Sequence, residues 1–200
     1  MIRSVSILMA LLGSRPAHAH AFESGQNAYE LLLQGISQPW LMLPVAVLLL
    51  GLGMLTGIWR TEGVIVVWPA MIAGALLGLG LGPFVPQVEV IWLMGLALAI
   101  SIVGIIALPL PSLAMAGLAA LATLLPSRFL METHVFGELP LPFLIGMGIG
   151  ITTCAALAAG VVQATREQIG HVAVLIGWRA LISWIGAISI LMLAFELRPV

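Results

Sequence analysis

The sequence predicts an all-α integral membrane protein, a bundle of about six transmembrane helices that follows a cleaved signal peptide. Of its 200 residues, 62% are hydrophobic and only 8% are charged, and the mean hydropathy is +1.19. Soluble domains carry about 25% charged residues, so lipid rather than water is expected to surround this chain. The net charge of −1 argues against a nucleic-acid partner, which would require a basic face.

The first nineteen residues have the pattern of a secretory signal. Arg3 gives a positive start, and residues 5–12 form a short apolar run. Ala17-His18-Ala19 then supplies the small residues that signal peptidase requires. We therefore expect residues 1–19 to be removed and residues 20–200 to form a single six-helix transmembrane domain. An uncleaved N-terminal anchor is the alternative.

Six apolar segments approach or reach the length of about 20 residues that an α-helix needs to cross the hydrocarbon core. We predict spans at residues 39–58, 64–82, 88–108, 112–125, 141–162 and 172–195. Prolines are expected at the span boundaries, among them Pro126 after the short fourth segment and Pro140 before the fifth.

Closely spaced glycines in two of these segments predict close helix–helix contacts rather than hinges. Small residues let neighbouring backbones approach, and such packing holds helices together where lipid gives no hydrophobic drive. The second segment contains Gly74, Gly78, Gly80 and Gly82, and the fifth contains Gly146, Gly148 and Gly150.

A cleaved signal would leave the new N-terminus outside the cytoplasm, and six spans would return the C-terminus to that side. Arg60, Arg166 and Arg179 then lie on the cytoplasmic side, in weak agreement with the positive-inside rule. We interpret residues 166–168 as a solvated connector. The expected location is the bacterial inner membrane, with the mature N-terminus outside.

This orientation collects candidate metal ligands on the outer face, namely His20, Glu89, His134 and Glu138. Imidazole and carboxylate ligands suit divalent ions such as nickel, cobalt or zinc. The free amine and imidazole of His20 would form a chelating pair. Glu89 opens the third span, where a carboxylate is costly unless it has a partner. A disordered tail, a solvated loop and a helix-capping Glu89 are the non-functional alternatives.

Nothing in the sequence indicates an enzyme. It contains no glycine-rich phosphate loop, no metalloprotease His-Glu-x-x-His and no evident acid–base pair. Cys154, the single cysteine, has no neighbouring base to activate it. The hydroxyls of Thr152 and Thr153 are expected to bond back to helix carbonyls. Six of the ten methionines are spread over five spans without clustering, which favours gap-filling over a copper site. These six are Met42, Met54, Met71, Met94, Met115 and Met147.

The chain resembles the HupE/UreJ family of small membrane proteins associated with hydrogenase and urease clusters. Four features carry the resemblance. These are the signal ending in Ala-His-Ala, Pro86-Gln87-Val88-Glu89, His134-Val135-Phe136-Gly137-Glu138-Leu139-Pro140, and the small residues 155–160. The resemblance implies a permease for nickel or cobalt, with the metal as transported cargo and no permanently bound cofactor. A homo-oligomer is possible.

The chain also departs from this family's pattern. Gln38-Pro39 stands where the first span of the family typically has His-Pro, and the Asp-His that follows there is absent. Phe136 and Leu157 occupy positions where the family has histidines. Two hypotheses follow: a permease that admits a divalent metal from outside, or a non-transporting scaffold that keeps the fold. A polar path with converging ligands predicts the first, and a dry, glycine-packed interior predicts the second.

Overall fold

The computed structural model describes residues 27–81, 88–131, 139–170 and 172–198, and within these ranges it is all-helical. Seven helices follow one another: α1 (Ala28–Leu41), α2 (Leu43–Trp59), α3 (Gly63–Leu81), α4 (Val90–Ile106), α5 (Ser112–Leu130), α6 (Leu141–Ile169) and α7 (Val172–Glu196). The predicted signal peptide, residues 1–19, lies outside the described residues.

Several of these helices suit a membrane, which agrees with the predicted class of protein. Four described helices, α3, α5, α6 and α7, are long and apolar enough to cross a bilayer. The pair α1 and α2 adds a fifth if it counts as one bent span, and α4 is a shorter apolar helix of 17 residues. Large apolar side chains such as Leu113, Ile65 and Trp184 are exposed on the outside of the bundle.

The first helix, α1, was not among the predicted spans. Asn27 and Glu30 start it with a capping box, in which the Asn27 Oδ1 accepts a hydrogen bond from the Glu30 backbone N–H at 2.9 Å. Helix α1 ends at Leu41 and α2 begins after Met42, and the axes of the two helices make an angle of 80°. The predicted span 39–58 therefore begins inside α1, and the straight part of that span begins only at Leu43.

Two other helices continue past their predicted ends. Pro126 lies inside α5, not after it, and the helix ends at Leu130. In the same turn, Ser127 Oγ donates to the Thr123 carbonyl of its own helix at 2.7 Å. Helix α6 continues to Ile169, where Gly170 ends it with a left-handed φ of 59°. The predicted connector 166–168 is therefore the last turn of a helix.

Glycine contacts hold the helices together in pairs, as predicted for several of them. A Cβ added at Gly146 or Gly150 would meet the backbone of Leu32 or Ile36 in α1, and one at Gly74 or Gly78 would meet the backbone of α5. Gly80, by contrast, faces open space. Of the predicted glycine face of α3, Gly74 and Gly78 make the contact, and Gly82 lies outside the described residues.

The same contacts give the direction of each helix. Leu32 and Ile36 meet Gly146 and Gly150 in that order, so α1 runs parallel to α6. Other contacts show in the same way that α2 is parallel to both α6 and α4, that α3 is parallel to α5, and that α4 is antiparallel to α7. Helices α2, α4 and α6 therefore point one way, and α7 points the other way.

The interior of the described bundle is mostly apolar. Its buried side chains are mostly Leu, Ile, Val, Met and Ala. The buried hydroxyls donate to carbonyls of their own helix, as Thr56 Oγ1 does to Leu52 and Ser101 Oγ to Ala97, both at 2.8 Å. Thr123 Oγ1 also reaches the Met71 carbonyl of α3 at 2.9 Å. The four most buried methionines, Met71, Met94, Met115 and Met147, belong to this core.

Candidate functional sites at the two ends and the bend of the bundle

Glu89 is the predicted metal ligand that the structure describes. It occupies the N-cap position of α4 and is exposed, and its side chain accepts no capping hydrogen bond. Its carboxylate is therefore free of the cap, although the helix N-terminus still favours its negative charge. His20, His134 and Glu138 lie outside the described residues, so their convergence with Glu89 stays a prediction. The described ranges contain no group of three or more potential metal ligands.

A buried arginine lies at the same end of the bundle as the start of α6. Arg128, in the last turn of α5, is only 6% exposed. In the same part of α5, Leu124 and Ser127 pack against Gly78 near the end of α3, and Leu79 packs against Gly148 of α6 at 3.6 Å. These contacts place Arg128 at the end of the bundle where α3 ends and α6 begins.

The bend between α1 and α2 is a second candidate site. Helix α1 contacts the first half of α6 through Gly146 and Gly150, and α2 contacts the second half through Gly53. The break at Met42 therefore falls between these two contacts along the chain, and residues 40–43 around it are exposed. Gln34 and Gln38 are half-buried one turn apart on α1. The Gln34 Oε1 is buried and accepts no hydrogen bond within the described chain.

A third candidate is a pocket at the opposite end, between the C-terminal parts of α2 and α4 and the facing parts of α6 and α7. It encloses about 260 Å³. Its walls include the apolar side chains Leu55, Val103 and Leu175 together with two cations, Arg166 and Arg179.

The two cations in this pocket are held differently. Arg166 Nη1 donates to the carbonyls of Gly57 at 2.6 Å and Ile58 at 3.1 Å, which caps the C-terminal end of α2. Arg179 Nε is buried and has no hydrogen-bond acceptor among the described residues. A buried donor without a partner is costly, so Arg179 is placed to bind an acceptor from outside the chain.

Two hydrogen-bonded tryptophans lie at this end of the bundle. Trp59 Nε1 donates to the Leu110 carbonyl at 2.9 Å, and Trp178 Nε1 donates to Thr165 Oγ1 at 2.8 Å. The first bond joins the end of α2 to the loop after α4, and the second joins α7 to the last part of α6. Indole rings with a satisfied N–H are typical of the interfacial belt of membrane proteins. The guanidinium of Arg60 also stacks over the Trp59 ring at 4.5 Å from its centroid.

Sequence reasoning missed this pocket because residues 166–168 were interpreted as a connector. A usable signal was present: three arginines lie next to predicted helix ends, and two of them stand beside tryptophans, Trp59-Arg60 and Trp178-Arg179. The prediction for Thr152 and Thr153 is confirmed, since their hydroxyls donate to the carbonyls of Gly148 at 3.0 Å and Ile149 at 2.7 Å.

No family model, curated protein or solved structure matches the chain at a significant level. The function must therefore be argued from the geometry and from the resemblance in the motifs.

Proposed function

We propose that this chain is a permease of the HupE/UreJ type, which admits nickel or cobalt from the outer face of a bacterial inner membrane through six spans. The observation that carries this proposal is the broken first span. Discontinuous helices form the binding sites of many secondary transporters, because the freed backbone and nearby polar groups can replace the hydration shell of an ion. The 80° bend between α1 and α2, with the half-buried Gln34 and Gln38 on α1, fits that pattern.

The directions of the helices support six spans. With α1 and α2 taken as one bent span, α2, α4 and α6 run one way and α7 runs back. Helix α3 connects α2 to α4, and these two helices are parallel, so α3 must run in the opposite direction. Helix α5, which is parallel to α3, therefore runs in the same direction as α7. Helix α4 has 17 residues, about 25 Å at the usual rise, which is at the lower limit for a span.

The proposed path begins at the outer end of the bundle. Glu89, with an exposed carboxylate that caps nothing, would bind the arriving ion together with His134, Glu138 and His20. From there the ion would pass the amide oxygens of α1, where the buried Gln34 Oε1 lacks a donor. Amide and carbonyl oxygens are weaker ligands than imidazole, so this step would favour release over retention. The metal is cargo in this proposal.

A non-transporting scaffold is the second candidate, and the mostly apolar interior of the described bundle favours it. A hydrated divalent ion cannot enter hydrocarbon without replacement ligands. The buried hydroxyls of the described bundle are already used within their own helices. The glycine-mediated contacts leave little room between neighbouring backbones.

The test is uptake of radiolabelled nickel and cobalt by cells that lack their own importers. Wild type would be compared with His134→Ala, Glu138→Ala and Glu89→Gln at matched membrane expression. Glu167→Gln is the matched control, because this carboxylate is also exposed but lies in the last turn of α6, at the opposite end of the bundle from Glu89. We expect uptake to fall at least about tenfold in the three site variants, as loss of a metal ligand implies, and to be unchanged in the control.

Uptake no higher than that of the empty vector, with folded protein present in the membrane, would contradict the permease and leave the scaffold. Equal uptake in all four variants would remove the outer site from the proposal.

A further inference from the structure

We propose that the pocket between α2, α4, α6 and α7 binds the phosphate group of an anionic phospholipid. This site lies at the end of the bundle that carries Arg166 and Arg179, opposite to Glu89. The proposal does not depend on metal transport and would hold equally for a scaffold.

The charge of the pocket points to an anion. Arg166 and Arg179 line it, and none of its described lining residues is a carboxylate. Among the described residues, the neighbouring opening contains one carboxylate, Glu62, together with Arg60 and Arg166. Two guanidinium groups beside one cavity repel each other unless a negative group comes between them. An anion in the pocket would relieve that repulsion.

The hydrogen-bonding capacity of the two arginines identifies the kind of anion. Arg166 already uses Nη1 for the end of α2, which fixes the position of its guanidinium. Arg179 Nε is desolvated and has no acceptor within the described chain. Guanidinium groups present paired N–H donors that match phosphate oxygens. Arg179 is therefore the residue that would bind the phosphate, and Arg166 adds positive charge from a fixed position.

The surroundings favour a lipid as the source of the phosphate. Leu55, Val103 and Leu175 give the pocket apolar walls, while the hydrogen-bonded Trp59 and Trp178 stand at the same level. Tryptophan lies at headgroup depth in membrane proteins, and basic pockets between spans bind anionic headgroups. A cavity of about 260 Å³ is smaller than the roughly 300–1,000 Å³ of pockets that enclose drug-sized molecules. It suits a headgroup whose acyl chains remain in the bilayer.

The test measures lipid retention on the purified full-length protein by native mass spectrometry. Wild type, Arg179→Gln and Arg198→Gln would each be equilibrated in nanodiscs with equal amounts of phosphatidylglycerol and phosphatidylcholine before release into detergent. Arg179→Gln removes no hydrogen bond that the described structure shows, so its fold should survive. Arg198, which is exposed after the end of α7, is the matched control. A second arm adds inorganic phosphate and measures the melting temperature of the same three proteins.

We expect wild type and Arg198→Gln to retain phosphatidylglycerol, and Arg179→Gln to retain it about tenfold less, as loss of a charge-assisted hydrogen bond implies. Arg179-dependent stabilisation by inorganic phosphate, without lipid retention, would keep the phosphate site and assign it to a soluble ligand. Equal retention in all three proteins, with no Arg179-dependent effect of phosphate, would overturn the proposal.

Discussion

Single glycines set how closely the helices of this bundle approach. At Gly74 an added methyl group would meet the Ala120 carbonyl and the Thr123 hydroxyl of α5, whereas at Gly80, six residues later, nothing lies within 4 Å. The Thr123 hydroxyl crosses the same contact to reach the Met71 carbonyl. The close approach of α3 to α5 and the hydrogen bond from Thr123 to Met71 therefore both depend on the absence of a side chain at Gly74.

This contrast predicts different effects of alanine at the two positions. Gly74→Ala would push α3 away from α5, and overpacking of this kind costs about 1–3 kcal/mol. Gly80→Ala should be neutral or stabilising by up to about 1 kcal/mol, because alanine restricts the unfolded chain and favours the helix. Melting temperatures of the two variants in detergent would check this. Equal temperatures would mean that the contact at Gly74 is loose.

At the scale of the element, the six-span arrangement depends most on α4, because this helix is the shortest candidate span. It packs antiparallel to α7, and a Cβ at Gly186 would lie 3.2 Å from the Ser101 Cβ. A disulfide needs about 3.5–4.5 Å between its Cβ atoms, which a shift of a few tenths of an ångström supplies. The pair Ser101→Cys and Gly186→Cys should therefore form a disulfide in a Cys154→Ser background.

A protease site inserted in the exposed loop at residues 107–109 would make the link visible. After cleavage the two halves should migrate together on a gel until they are reduced. Ser101→Cys with Gly177→Cys is the control, since a Cβ at Gly177 meets nothing within 4 Å. Fragments that separate without reductant in the test pair would show that α4 does not run along α7.

The apolar pattern predicted the positions of most helices, but it could not predict the bend. Long apolar segments are visible in sequence because lipid permits few polar residues. Helix α1 mixes Gln34, Ser37 and Gln38 with apolar residues, so it falls below that criterion. Pro39 and Pro126 were expected at boundaries, but both lie inside helices, where neighbouring groups decide whether a proline is tolerated.

Candidate sites were harder to predict than helices. Glu89 was identified because a carboxylate at the start of a span is unusual. The arginine pocket was not identified, because it depends on four helices meeting and on Arg166 reaching the Gly57 carbonyl of a distant helix at 2.6 Å. A contact between residues more than 100 positions apart leaves no periodic pattern in the sequence.

At the scale of the whole molecule, the structure combines features of a carrier with those of a scaffold. The apolar interior and glycine contacts would suit a scaffold, whereas the 80° break and the buried Gln34 Oε1, which accepts no hydrogen bond within the described chain, are features that a packed scaffold would not need. A buried acceptor without a partner costs about 1–3 kcal/mol. Its presence on the broken span is explained if a passing cation uses it.

The most direct test of the permease is flux of radiolabelled nickel into proteoliposomes that contain only the purified protein. Wild type should exceed empty liposomes, and Gln34→Leu should reduce the flux about tenfold by removing the proposed oxygen ligand. Gln168→Leu, an exposed glutamine in the last turn of α6, should transport like wild type. Flux through folded wild-type protein that equals flux into empty liposomes would contradict the permease.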